Sequence, residues 1–283
     1  MGSEMCIRDS ASPKLKKLFF HAMELPIYFI SDVHLMLNDS AEEKHKRKSL
    51  YRFLNYVRTT RGTLFFVGDL FDFYFEYPDV VPKAYFDFYN KAYQLKKAGV
   101  NLRFIAGNHD YWLMDFMKEK IMNQTYYDDT TFSLRSKNFY ITHGDGLLSW
   151  DYGYRILKKI IRSSFFTWCF RWLHPTIGYS IAKKVSRTQN HSQPPEEVKE
   201  KIRNELKNFA AKHFEKGFDY MVCGHYHLNE IIDVGKGKLA VLGDWQDQPS
   251  YAVFDGKELT LHCLLYTSPS PRDLSTSRMP SSA

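Results

Sequence analysis

Short, continuous apolar runs that end at a glycine or an acid recur along this chain, separated by stretches whose apolar residues fall at helical spacing. Ile27-Tyr28-Phe29-Ile30 is too short for an amphipathic helix and predicts a buried strand ending at Ser31-Asp32. Similar runs at 63–67, 100–105, 139–142 and 219–223 end at Gly68-Asp69, Gly107-Asn108, His143 and Gly224-His225. Further strands are predicted at 239–242, 251–254 and 259–262, the last after a turn at Asp255-Gly256. Ser40 and Glu43 have capping-box spacing before a basic helix over about 41–60. Residues 83–97 predict a helix stopped by Gly99. Val198, Ile202, Leu206, Ala210 and Phe214 mark one face of another, with Gly217 after it. Strands alternating with helices make an α/β fold. Polar residues follow the C-terminal ends of the strands, the edge where open α/β sheets place their sites.

One segment interrupts the pattern. Residues 152–195 contain no Asp or Glu, but eight Lys or Arg and eight aromatics, Phe165, Phe166, Trp168, Phe170 and Trp172 among them. Three readings fit. The mixture suits a surface for acyl chains and phosphate, or a helix lying on an anionic bilayer. It also suits a packed helical pair whose rings fill their own core, or a platform for single-stranded nucleic acid. The ends differ again. Residues 1–14 and 264–283 lack a hydrophobic period, and the last twenty residues hold six Ser and three Pro. Both ends resemble translated adapter read-through (MCIRDS, LLYTSPSPRD), so they are expected to be non-native or disordered tails around a domain spanning 15–263.

The length of 283 residues allows one large domain, and the 44% hydrophobic content supplies a core for it. A formal charge of +7 suits an anionic partner without choosing among nucleotide, nucleic acid and headgroup. The four cysteines are too far apart for a metal knuckle. A disulfide framework is not expected, which fits a reducing cytoplasm. No run reaches the ~18–20 apolar residues of a membrane span, and no leader pattern is visible.

The chemistry gathers at five strand ends: Asp32-Val33-His34, Gly68-Asp69, Gly107-Asn108-His109-Asp110, His143-Gly144-Asp145 and Gly224-His225-Tyr226-His227. On an extended chain, positions i and i+2 point the same way, so Asp32/His34 and His225/His227 are each expected to aim two ligands into one cavity. Glycines let the backbone approach closely. Oxygen and imidazole donors without thiolate suit two divalent metal ions: Mn, Fe, Zn or Mg. Two ions about 3.5–4 Å apart can share Asp69 and activate a water between them. Any one of these motifs is weak, since a Gly-Asp is often only a turn. Five in order, each after a predicted strand, are specific.

This set resembles the calcineurin-like metallophosphoesterase superfamily over most of residues 27–262. The resemblance implies a two-sheet β-sandwich flanked by helices. It implies one metal on Asp32, His34, Asp69 and His227 and another on Asp69, Asn108, His143 and His225. His109 matches the catalytic histidine that contacts the scissile phosphate or leaving group, and Asp110 would orient it. Ile30 to Leu35, Gly68 to Asp72, Val241 to Trp245 and the aromatic insertion resemble, more narrowly, the UDP-2,3-diacylglucosamine diphosphatase family of lipid A synthesis. His109 stands where many members of that family have Arg. This narrower resemblance implies cleavage of a UDP-linked diacyl sugar to UMP and a lipid monophosphate, with 152–195 as a helical lid. Substrate contacts are expected at Asp151, Ser186 and Asn190, and apolar ones at Phe165, Trp168 and Phe170. Manganese is the expected metal. The expected partners are a nucleotide-linked lipid and the anionic inner membrane, with the protein peripheral on its cytoplasmic face. Neither nucleic acid nor an obligate protein partner is expected. The rival expectations are a phosphodiesterase or nucleotide pyrophosphatase acting on a soluble substrate, and a non-catalytic protein-binding scaffold.

Overall fold

A computed structural model describes residues 23–188, 194–246 and 248–264. The first elements are β1 (Ile27–Ile30), α1 (Ala41–Thr60), β2 (Thr63–Val67), α2 (Phe86–Lys97), β3 (Asn101–Ile105), β4 (Gln124–Tyr126), β5 (Thr130–Leu134) and β6 (Lys137–Thr142). The insertion forms α3 (Tyr152–Ile161), α4 (Ser164–Trp172) and α5 (Pro175–Thr188). The chain then continues through α6 (Glu196–Phe214), β7 (Tyr220–Cys223), β8 (Glu230–Val234), β9 (Gly237–Val241), β10 (Ser250–Phe254) and β11 (Leu259–Cys263).

Two sheets result, ordered β11-β10-β1-β2-β3-β4 and β5-β6-β7-β9-β8. Alternate residues of each strand face opposite ways, so each sheet needs two covers. Phe29, Phe65 and Ile105 of the first sheet pack against Phe139, Ile141 and Val222 of the second, forming the centre of the sandwich. Tyr28, Leu64, Phe66 and Phe104 face the other way, under Phe53 and Val57 of α1 and Phe88 and Leu95 of α2. Met221, Cys223, Leu239 and Val241 face Leu206 and Ala210 of α6. The fold is therefore a helix-flanked two-sheet sandwich, as its motifs imply.

Three strands have no signal in the hydrophobic pattern: β4, β5 and β8. Each is the edge of its sheet, and none has a buried residue. An edge strand carries polar residues on its solvated side, so it shows no continuous apolar run. The two expected tails lie outside the described residues apart from Leu264, whose N–H donates to the Pro249 carbonyl at 2.7 Å.

The insertion departs from the packed-pair reading. Phe165, Trp168 and Trp172 are 74, 57 and 76% exposed, so they fill no core of their own. Other side chains hold the insertion down. Phe170 packs with its ring 4.5 Å from that of Phe75, the Trp112 indole N–H donates to the Ile161 carbonyl at 3.0 Å, and the Tyr179 hydroxyl donates to the Phe75 carbonyl at 2.9 Å. Among the described residues, no helix is long and apolar enough to cross a membrane.

Candidate active site

The strand-end motifs leave their sheets in a conformation that residues with side chains rarely adopt. Asp32, His34, Asp69, His225 and His227 have φ of 53, 47, 51, 67 and 55°, in the left-handed region. This corrects the expectation of extended D-x-H and H-x-H segments: the ligand pairs converge by turning. Each such residue costs about 1–3 kcal/mol and persists only where its surroundings over-determine it. The surroundings here do so. The N–H groups of Asp32 and His34 donate to the carbonyls of Gly68 and Asp69 at 3.2 and 3.0 Å, and the Trp245 N–H donates to the Asp32 carbonyl at 3.2 Å.

All seven expected ligands meet there. The ligand atoms of Asp32, His34 and His227 lie within 4.8 Å of one another, and so do those of Asp69, His143 and His225. Asn108 Oδ1 is 3.0 Å from His143 Nε2, whose other near neighbour is Asp69 Oδ2 at 3.3 Å. His109 Nε2 is 3.9 Å from the same Asp69 oxygen.

The residues fit a pair of divalent cations. Buried Asp32 Oδ1 accepts no hydrogen bond, although His227 Nε2 lies 3.2 Å away. Far ring nitrogens are engaged, His143 Nδ1 with the Val67 carbonyl at 2.9 Å and His227 Nδ1 facing Asp244 at 3.5 Å. That arrangement aims each Nε2 at the cluster, as outer partners of metal-bound histidines do. Glycines keep the space open. A Cβ on Gly107 would stand 2.1 Å from Asp69 Oδ1, and one on Gly68 would stand 2.3 Å from His143 Nδ1. Gly107→Ala is therefore expected to destabilise the protein by about 1–3 kcal/mol through overpacking and to weaken metal uptake. Calorimetric melting and metal titration measure the two effects.

Charge follows the same logic. Burial raises the Asp32 and Asp69 carboxyls, but His227 and His143 respectively outweigh it and hold both well below the usual range. Burial, helped by the charge on His109, pushes His34 down to about 3; burial, helped by His143, pushes His225 down to about 4. Neutral imidazole is the form that ligates a metal. Burial opposes protonation of His143, yet Asp69 lifts it to about 10.

The expectation that Asp110 orients His109 is corrected. The Asp110 carboxylate accepts from the N–H groups of Gly107 and Leu70 at 2.8 Å, Phe71 at 3.2 Å and Asp69 at 3.3 Å. It ties the turn after β2 to the turn after β3, because buried N–H groups in two irregular turns need an acceptor. The His109 ring is set instead by Nδ1, 2.7 Å from the Asp72 carbonyl. Burial lowers the His109 pKa, but Asp69 and then that carbonyl raise it above its ordinary value.

The expected substrate contacts are scattered. Asp151 caps α3, accepting from the Tyr154 N–H at 3.3 Å. Phe165 and Trp168 face outward, whereas Phe170 is half-buried against Phe73, Phe75 and Tyr77. Ser186 lies within α5 with its side chain outside the described residues, and Asn190 lies outside them altogether. One neighbour lacks a role in the motif reading. Asp145 Oδ2 lies 2.8 Å from Arg162 Nη2 and 2.9 Å from Lys158 Nζ, and accepts from the Tyr154 hydroxyl at 3.0 Å. Arg162 also donates to the Gly107 carbonyl at 3.2 Å. A cavity of about 340 Å³ opens beside this knot and His143. A signal for the knot exists, since Lys158 and Arg162 stand one turn apart in an acid-free segment, so any acid that pairs with both lies outside it.

The family model for calcineurin-like phosphoesterases matches residues 25–229. A Porphyromonas gingivalis protein named UDP-2,3-diacylglucosamine hydrolase is 30% identical over 260 residues, covering 86% of this chain and 98% of its own length. A Hamiltonella defensa protein of the same name is 27% identical over 246 residues, 82% of this chain and 93% of its own. Among solved structures, Entamoeba histolytica Vps29 complexed with zinc is 14% identical with a TM-score of 0.44, covering 86% of this chain and 95% of that one.

Proposed function

The chain belongs to the calcineurin-like phosphoesterase family and is a metal-dependent hydrolase, and from that premise we propose that it hydrolyses the diphosphate bond of UDP-2,3-diacylglucosamine, releasing UMP and 2,3-diacylglucosamine 1-phosphate in lipid A biosynthesis. The observation that carries this reading is the pairing of a buried cluster of metal-ligating side chains with an adjoining helical segment whose aromatic side faces outward.

Asp32, His34, Asp69 and His227 would hold one divalent cation, and Asp69, Asn108, His143 and His225 the other. Such a pair supplies Lewis acidity, making water acidic enough to attack near neutral pH and offsetting phosphoryl charge. Manganese fits the oxygen-and-imidazole set. His109, whose Nδ1–H donates to the Asp72 carbonyl, aims Nε2 toward the cluster, and as the imidazolium it would be placed to donate to a phosphoryl or leaving oxygen. Lys158 and Arg162 ride on α3 and at its end, and Asp145 fastens both beside the cavity. The position of the insertion and the charge at the rim of the site are therefore linked.

Residues 152–195 act as the lid in this reading. Ile156, Ile160, Phe165, Trp168, Trp172 and Ile177 are exposed, as are the cations Arg155, Lys159, Arg171, Lys183 and Lys184. Apolar side chains bordered by cations suit the headgroup boundary of an anionic bilayer, where each cation contributes about 1 kcal/mol. A peripheral position on the cytoplasmic face of the inner membrane places the lid beside a diacyl substrate. Purified protein supplied with Mn²⁺ is expected to release UMP from UDP-2,3-diacylglucosamine. A preparation that leaves this substrate intact while cleaving bis-p-nitrophenyl phosphate rapidly would defeat the reading.

A further inference from the structure

We propose that Glu43, Lys46 and Arg47 of α1 are positioning residues for the cation assigned to His34: a buried ionic clamp that grips segment 34–36 from behind. The proposal rests on the two-cation reading of the site.

Glu43 and Lys46 are only 2 and 6% exposed, although such residues are almost never buried unless paired. Lys46 Nζ lies 2.9 Å from Glu43 Oε2 and donates to the His34 carbonyl at 2.5 Å. Glu43 Oε1 accepts from the Met36 N–H at 3.1 Å and from Arg47 Nε at 2.7 Å. The Arg47 fork reaches two carbonyls, Met36 at 2.7 Å and Ala84 at 2.8 Å. Ser40 caps the helix, accepting from the Glu43 N–H at 3.1 Å, which fixes where this triad begins.

A full accounting of the segment shows what the clamp does. The His34 N–H goes to the Asp69 carbonyl, the Leu35 N–H goes to the Leu70 carbonyl, and the Leu35 carbonyl accepts from the Asp72 N–H. The remaining three backbone groups, His34 C=O, Met36 N–H and Met36 C=O, go to Lys46, Glu43 and Arg47. Around the φ of 47° at His34, its own N–H, its own carbonyl and the Leu35 N–H are thus all engaged, which opposes relaxation of the turn. Apolar residues of similar volume often stabilise a fold as well as a buried ion pair does. They cannot hold a carbonyl and an N–H that no strand pairs, and that holding is the clamp's use. The His143 and His225 turns are bound by other groups, the carbonyls of Val67 and His143 and the carboxylate of Asp32.

The test is calorimetric titration of the metal-free protein with Mn²⁺ alone. Wild type is expected to take up two ions. Lys46→Met leaves Glu43 paired with Arg47, and is expected to lower affinity at one site by about 10–100-fold, as loss of an outer partner does. The second site stays within about threefold, and Lys46→Arg, which restores a charged donor, recovers most of the loss. If Lys46→Met does not fold, Arg47→Lys decides, since it keeps the charge but loses the fork and predicts the same one-site weakening. Unchanged affinity at both sites, or equal weakening of both with a lower melting temperature of the metal-free protein, would overturn the clamp. Wild type that takes up no Mn²⁺ would overturn the metal-centre reading itself, a separate and recognisable failure.

Discussion

Asp69→Asn is expected to lower kcat by about 10³-fold or more on every substrate the enzyme cleaves, while the protein stays folded. Asp69 is the carboxylate that the two-cation reading shares between both ions. Its Oδ2 lies 3.3 Å from His143 Nε2 and 3.9 Å from His109 Nε2, and its Oδ1 accepts the His109 N–H at 2.9 Å. Asparagine has the same shape and can still accept that N–H, so the turn after β2 survives. It removes the charge that two cations would share. Metal ions contribute several kcal/mol to phosphoryl transfer, and each ~1.4 kcal/mol lost is tenfold in rate. Elemental analysis is expected to find less than the full complement of metal, and UMP release and bis-p-nitrophenyl phosphate cleavage are expected to fall together. Retention of a tenth of either activity would mean that Asp69 holds no shared cation.

Replacing the outward rings of the insertion is expected to separate lipid from phosphoester. In Phe165→Ser/Trp168→Ser/Trp172→Ser, binding to anionic vesicles and turnover of UDP-2,3-diacylglucosamine are expected to drop about 10²-fold, with bis-p-nitrophenyl phosphate cleavage unchanged. Full burial of one such ring stabilises by about 1.5–3 kcal/mol. Three partly inserted rings supply about 3 kcal/mol, which is about 10²-fold. Because the rings are exposed in the folded protein, their loss should leave stability within about 0.5 kcal/mol per site. Phe170→Ala behaves differently. Its ring packs on Phe73, Phe75 and Tyr77, so the variant is expected to loosen the insertion by about 2 kcal/mol, below the 3–5 kcal/mol of a fully buried ring. Melting curves and vesicle sedimentation distinguish the two classes. A triple variant that binds vesicles and turns over the diacyl substrate as wild type does would remove the insertion from lipid recognition.

Phe165 and Phe170 look alike in sequence, five positions apart in one aromatic run, and packing alone gives them different tasks. The same limit applies elsewhere. β1, β2, β3 and β7 are legible because an all-buried strand is predominantly apolar, a property carried by each short run even where Thr63, Asn101 or Arg103 interrupts it. β4, β5 and β8 are not, because these edge strands bury no residue, unlike the edge strand β11, which buries Leu259. The ligand types are legible because Asp, Asn and His recur after those runs. Their left-handed turns are not, since each turn is imposed by carbonyls and carboxylates from distant chain, and neither are the partners of Asp110, Asp145 and Asp244.

Residue order alone therefore specifies the helix-flanked α/β character, the strand ends and the set of donors placed there, because burial and metal affinity are properties of residue type. Convergence, turn geometry and the outward face of the insertion come from packing. The Asp32 carboxylate, for example, receives the N–H of His225 from 193 residues away. No local pattern encodes a contact of that span; it forms only once both sheets have closed on one another.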